Sequence, residues 1–155
     1  MKETYLAALR REDQNVNPLF AFLGATLDDA VEGEAVIALP ISPRLAQGGG
    51  VVAGGILATL ADEAMAHAVI SRLEEGRKTV TLEMNIRYLR AVDPQKKGTL
   101  YAKGKVLKAG RAIVTVESSV YDDAGRLLAA AGGSFYILPA ESKGKKDERA
   151  RKTPQ

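Results

Sequence analysis

Two periodicities alternate along this chain. Ala35, Ile37, Leu39 and Ile41 are interleaved with Glu34, Val36, Ala38 and Pro40. This period of two predicts a strand, and Pro40 suits its end or an edge position. From Ile56 the spacing changes. Ile56, Leu57, Leu60, Ala61, Ala64, Met65, Ala68, Val69 and Leu73 recur at helical intervals. That stripe is broad and rich in alanine, so another element can pack close against it. Glu74-Glu75-Gly76 predicts the helix end, with the glycine just past it. Period two then returns: Val80, Leu82, Met84, Ile86 and Tyr88 are expected on one face, Thr79, Thr81, Glu83, Asn85 and Arg87 on the other. Further strands are predicted at about 99–108, 112–121 and 126–138, the last two joined by the hairpin turn Asp122-Asp123-Ala124-Gly125.

Ahead of these elements, residues 1–16 predict a helical lead-in, with Leu6, Leu9 and Arg10 near helical spacing. Asn17-Pro18 signals a turn, and Leu19–Leu23 a short apolar helical segment stopped by Gly24. The order is therefore a lead-in, one strand or a hairpin, one long apolar helix, and four strands in antiparallel meander. Short loops favour antiparallel pairing, and a helix this apolar must be wrapped by a curved sheet or buried against a partner. The fold class is α+β, a curved antiparallel sheet around one long central helix. Three segments follow: 1–16 lead-in, 17–139 domain, 140–155 basic tail, expected to be disordered.

Composition narrows the chemistry. A chain of 155 residues, 46% hydrophobic and 26% charged, fits one globular domain with a sizeable core. It has no cysteine and one histidine, which excludes thiol nucleophiles, disulfides and multi-histidine metal clusters. No apolar run is long enough to span a bilayer and no signal-peptide pattern opens the chain, so a cytoplasmic location without membrane contact is expected. The net charge of +3 belongs to the tail, where Lys143, Lys145, Lys146, Arg149, Arg151 and Lys152 outnumber Asp147 and Glu148. The body is close to neutral, which argues against a nucleic-acid partner.

The candidate chemistry sits at the helix start. Gln47-Gly48-Gly49-Gly50-Val51-Val52-Ala53-Gly54-Gly55 runs straight into the apolar helix. Glycines there leave free N–H groups at the positive end of the helix dipole, suited to an oxyanion. Two turns on, Asp62 falls at about 240° on a helical wheel whose apolar stripe ends near 220°. A carboxylate at that border is partly desolvated, which raises its basicity and suits a general base or a nucleophile on a carbonyl. His67 lies four residues after Glu63, and a surface or interface hydrogen bond is its plain role. Gly48–Ala53 fits the spacing of a dinucleotide fingerprint, but a long loop precedes it and no parallel crossover follows.

These residues resemble the PaaI-like acyl-CoA thioesterases of the hotdog fold. Members carry an Asn, then His-Gly-Gly opening the central helix, then an acid about two turns in. Here Gln47 takes the place of the Asn, Ala53 that of the His, Gly54-Gly55 follow, and Asp62 matches the acid. Thr79–Leu89 resembles the next strand, with Thr81 at an active-site Ser/Thr position. The resemblance spans about residues 18–138. It implies hydrolysis of an acyl-CoA thioester: Asp62 acts on water or the carbonyl, Gly54 and Gly55 hold the oxyanion, and Gln47 and Thr81 orient the reactants. It also implies that glycine and acid come from opposite subunits, so a homodimer completes the site, alone or within a tetramer of two dimers. Arg87, Arg90, Lys108 and Arg111 are candidates for the phosphates of coenzyme A, and Asn85 for a further contact. No metal or other cofactor is implied, coenzyme A being part of the substrate. Because Ala53 replaces the histidine, acyl-CoA binding without hydrolysis is the alternative. A hydratase would need a catalytic histidine that the chain lacks at this position.

Overall fold

The computed structural model describes residues 4–140. The basic tail therefore lies, from residue 141 onward, outside the described residues. Two short helices come first, α1 (Tyr5–Ala8) and α2 (Pro18–Leu23). The lead-in is thus a single helical turn followed by loop. Asn17-Pro18 proves to be a helix start: the Asn17 side chain accepts the N–H groups of Leu19 and Phe20, and proline occupies the first turn, where it costs no hydrogen bond. Gly24, at φ 78°, ends α2 in the left-handed conformation.

A hairpin of β1 (Thr26–Val31) and β2 (Glu34–Pro40) leads through a 3-10 turn to the central helix α3 (Gly54–Ile70). Four strands follow, β3 (Thr79–Tyr88), β4 (Thr99–Ala109), β5 (Ile113–Asp122) and β6 (Leu127–Ile137). All pair antiparallel in one sheet of order β1-β2-β4-β5-β6-β3. The sheet wraps α3, the expected hotdog arrangement. The four-strand meander is corrected. Only β4, β5 and β6 run as a meander; β3 pairs with β6 at the far edge. Segment 89–98 is not a hairpin turn. It is tied to the chain ahead of α3 and to β6, where Val92 accepts from the Val52 N–H and Leu89 donates to Leu128.

The alanine-rich face of α3 does permit a close approach. Ala61, Ala64 and Ala68 are fully buried. A Cβ at Gly104 of β4 would lie 2.2 Å from the Ala64 carbonyl oxygen, so helix backbone rests directly on strand backbone. The helix ends at Ile70, earlier than its apolar spacing predicts. The Ser71 hydroxyl donates to the Ala68 carbonyl and accepts the Gly33 N–H, both at 2.8 Å, so side-chain bonds replace the next helical turn. Gly76 instead occupies a separate turn at φ 82°.

The two faces of β3 also need correction. Opposed residues share a face, and the register with β6 shifts between Thr81 and Glu83, leaving Leu82 as a bulge. Thr81 is opposite buried Phe135, and Met84 opposite Gly133, whose Cα faces the Met65 side chain of α3. Thr79 and Thr81 therefore share the helix-facing side with Met84, Ile86 and Tyr88. Glu83, Asn85 and Arg87 face outward. One extra residue flips everything beyond it.

Candidate functional site

Helix α3 carries both halves of the expected chemistry at different heights. Ala53 is its N-cap, extended at φ −60° and ψ 135°, with no side-chain cap. Its own N–H donates to Leu45 at 2.8 Å, and the Ile56 N–H turns back to the Ala53 carbonyl at 3.0 Å. Neither the Gly54 nor the Gly55 N–H meets a backbone acceptor among the described residues. Gly55 is exposed and has open space where a side chain would stand. The Tyr88 ring covers Gly54, with its Cζ 3.2 Å from where a Cβ would lie. Arg90 joins Gly54 and Tyr88 in lining a hollow beside this end of the helix. Two donors, a ring and a cation thus converge at one helix start.

Asp62 lies further along, half-buried, on the side of α3 that faces edge strand β3. The Thr81 hydroxyl donates to its Oδ1 at 2.8 Å, which fixes the carboxylate and leaves Oδ2 uncommitted. Gly55 and Asp62 are seven residues apart on the helix, about 10 Å of rise. No single carbonyl can touch both within one chain.

The carboxyl that the structure pushes up is the neighbour, Glu63. Burial, and next the charge of Asp62, raise it to about 7. It sits on the other side of α3, beneath the N-terminal segment. His67, 2% exposed, belongs to the core of its own chain, where a surface or interface hydrogen bond is expected from the sequence. Its Nδ1 lies 2.7 Å from the Glu63 carbonyl and 3.5 Å from the Glu63 carboxylate. A carbonyl only accepts, so Nδ1 carries the proton and Nε2 accepts from the Tyr5 hydroxyl at 3.1 Å. The Asn17 amide donates to the Tyr5 oxygen at 3.2 Å. Tyr5 and Phe20 lie against the imidazole. Burial holds His67 below its ordinary pKa, opposed by the bond to Glu63. The spacing of four announces the Glu63–His67 pair, but not Tyr5 and Asn17, which are far from His67 along the chain. Alternation gives Tyr88 only a place in a strand, with no sign that its ring covers Gly54.

Other candidates fall elsewhere. The Gln47 side chain accepts the Gly49 N–H, and its backbone closes the same glycine turn through Val51 and Gly50. Asn85 and Arg87 line a shallow outer groove with Glu83 and Thr115, on the opposite face of the sheet from α3. Arg111 lies exposed in the β4–β5 turn, whose Gly110 is beside Val69 and Leu73 near the C-terminal end of α3. Only Arg90 among the proposed cations reaches the glycines of its own chain. Among the described residues, no acidic or histidine cluster could hold a metal, and no helix is long and apolar enough to cross a membrane.

Comparison with known proteins bears on the family and the fold. The thioesterase superfamily matches residues 49–129, from the glycine turn into β6. A protein of Saccharolobus solfataricus named "putative esterase" is 31% identical over 88% of this chain and 94% of its own. The structure of a conserved protein from Pseudomonas aeruginosa superposes with a TM-score of 0.73 at 33% identity, over 79% of this chain and 95% of that one. The PaaI protein of the Escherichia coli phenylacetic acid degradation operon shares the fold, with a TM-score of 0.73 at 23% identity, covering 80% and 86%. With its six-stranded antiparallel sheet closed around α3, the chain belongs to the thioesterase superfamily and has its hotdog fold.

Proposed function

We propose that the protein hydrolyses an acyl-coenzyme A thioester at a site shared by two copies of the chain. The observation that carries this reading is the Thr81–Asp62 hydrogen bond, which holds a half-buried carboxylate against the open edge strand. The free glycine donors supply the complementary half, and their separation from Asp62 along α3 calls for a second copy. Edge strand β3 offers the surface for it: Val80, Leu82 and Tyr88 are 43%, 53% and 52% exposed. An unpaired apolar edge of this kind invites pairing with another strand.

In this mechanism Oδ2 of Asp62 takes a proton from water as its oxygen attacks the thioester carbon. The carbonyl oxygen becomes an oxyanion, held by the Gly54 and Gly55 N–H groups of the other copy. Collapse of that intermediate breaks the carbon–sulfur bond, and the thiolate of coenzyme A recovers the proton. Ala53 offers no side chain to this sequence.

The test is release of free coenzyme A thiol from acyl-CoAs, measured for wild type and Asp62→Asn. Loss of the general base lowers kcat about 10²- to 10⁴-fold. If both proteins bind acyl-CoA and turn it over equally slowly, the hydrolase reading is wrong and the chain is an acyl-CoA-binding protein.

A further inference from the structure

The stripe of α3 that carries Asp62 continues toward the C-terminal end of the helix through Ala66 and Ile70, in steps of four that keep one side of a helix, and Leu73 follows in the turn just past it. Ala66 leaves this stripe low. At its far end lies a cleft of about 530 Å³, lined by Leu6, Ile70, Leu73, Thr79 and Leu138, with Tyr5 at one wall and the charged segment 74–78 also lining it. The aliphatic residues are half-buried. One wall is fixed, because the Tyr5 hydroxyl is tied to buried His67 and to Asn17. The opposite wall is β3 at Thr79, two residues before the threonine that holds Asp62. The size falls in the range of small-molecule sites, roughly 300–1,000 Å³, which are likewise mainly apolar.

We propose that this cleft receives the far end of the acyl chain, and that the substrates are therefore straight, unsubstituted acyl groups of about ten carbons or more. The inference rests on the reading of Asp62 as the group that acts at the thioester. From Asp62 to Ile70 is eight residues, about 12 Å along the helix axis. An extended hydrocarbon of standard bond length spans that distance in about ten bonds. A shorter chain ends over Ala66 and gains nothing from the cleft. A longer one trades water for Ile70, Leu73, Leu6 and Leu138, worth roughly fourfold in affinity per buried methylene.

The experiment measures kcat/KM for saturated acyl-CoAs from butanoyl to hexadecanoyl, with wild type and with Ile70→Trp, which fills the cleft. The expected result is a rise of tenfold or more between butanoyl and dodecanoyl. Ile70→Trp should shift the dodecanoyl-to-butanoyl ratio at least tenfold toward the short substrate. A flat wild-type profile, or a ratio that the tryptophan does not move, overturns the proposal. If Ile70→Trp does not fold, Leu73→Trp and the wild-type profile decide in the same way. If wild type hydrolyses none of the series, the thioesterase reading fails. The cleft is then judged by binding of non-hydrolysable dodecyl- and ethyl-CoA thioethers. A tenfold preference for dodecyl upholds it, and equal affinities overturn it.

Discussion

Asp62 and Glu63 are adjacent in sequence and about 100° apart around α3, and the two sides of the helix they serve differ in kind. The Asp62 side faces edge strand β3, where Thr81 supplies one hydrogen bond and solvent reaches the rest. The Glu63 side is covered by the N-terminal segment, where half-buried Tyr5 and Asn17 hydrogen-bond around buried His67 and Phe20 packs on its ring. Chemistry on a large substrate needs the open side. The Glu63 side holds the N-terminal segment on the helix. Adjacent carboxyls thus take different roles because of what packs over each, and the one that burial raises to about 7 lies under the N-terminal segment, away from β3.

The sharpest break of that contrast is to exchange the charges one at a time. Asp62→Asn should abolish most turnover, as above, while Glu63→Gln should leave kcat within about threefold, since it removes no group near the thioester. Kinetics of both variants on one acyl-CoA would refute the assignment if Glu63→Gln proved the slower. Stability should respond in the opposite sense. Glu63 titrates near 7 when folded, against a reference of 4.5. The folded state keeps a proton that the unfolded chain releases, so its stability falls as pH rises from about 4.5 to 7. Glu63→Gln should therefore raise stability at pH 8 by on the order of 1–3 kcal/mol and change it little at pH 5, read from denaturant midpoints at each pH.

A smaller effect is expected from Tyr5→Phe, which leaves the Nε2 acceptor of a buried histidine unpaired. It should cost about 1–2 kcal/mol of unfolding free energy in urea titrations. Thr81→Val retains shape but frees the Asp62 carboxylate. A drop in kcat of about tenfold, equivalent to about 1.4 kcal/mol, with a stability change below that of Tyr5→Phe, would match an orienting role. An unchanged kcat would leave the threonine no part in the site.

Much of the architecture could be read from spacing alone. The helical stripe of Ile56–Leu73, the glycine entry and the alternation in 99–138 are local signals, and each element exists near its expected bounds. What failed was non-local. The position of β3 beside β6 depends on a pairing across the whole sheet. The burial of His67 depends on Tyr5 and Phe20 folding over it. The end of α3 depends on Gly33 finding Ser71. At the candidate site, Gly54, Gly55, Asp62, Thr81 and Arg90 were visible as residue types in a pattern. Gln47, Asn85, Arg87 and Arg111 are pointed or placed away from Asp62 by turn closure, strand face and strand end. None of these three causes leaves a mark in composition or period.

The bulge at Leu82 has a consequence that is a matter of parity. Thr81 and Tyr88 are an odd number of positions apart, so an unbroken strand would send them to opposite sides of the sheet. One serves the acid and the other covers the glycines, and both must look toward α3. The surplus residue converts odd to even, letting a single edge strand address the two ends of the helix at once. Removing Leu82 would take away no functional group, yet it would force the strand to choose which of them to keep.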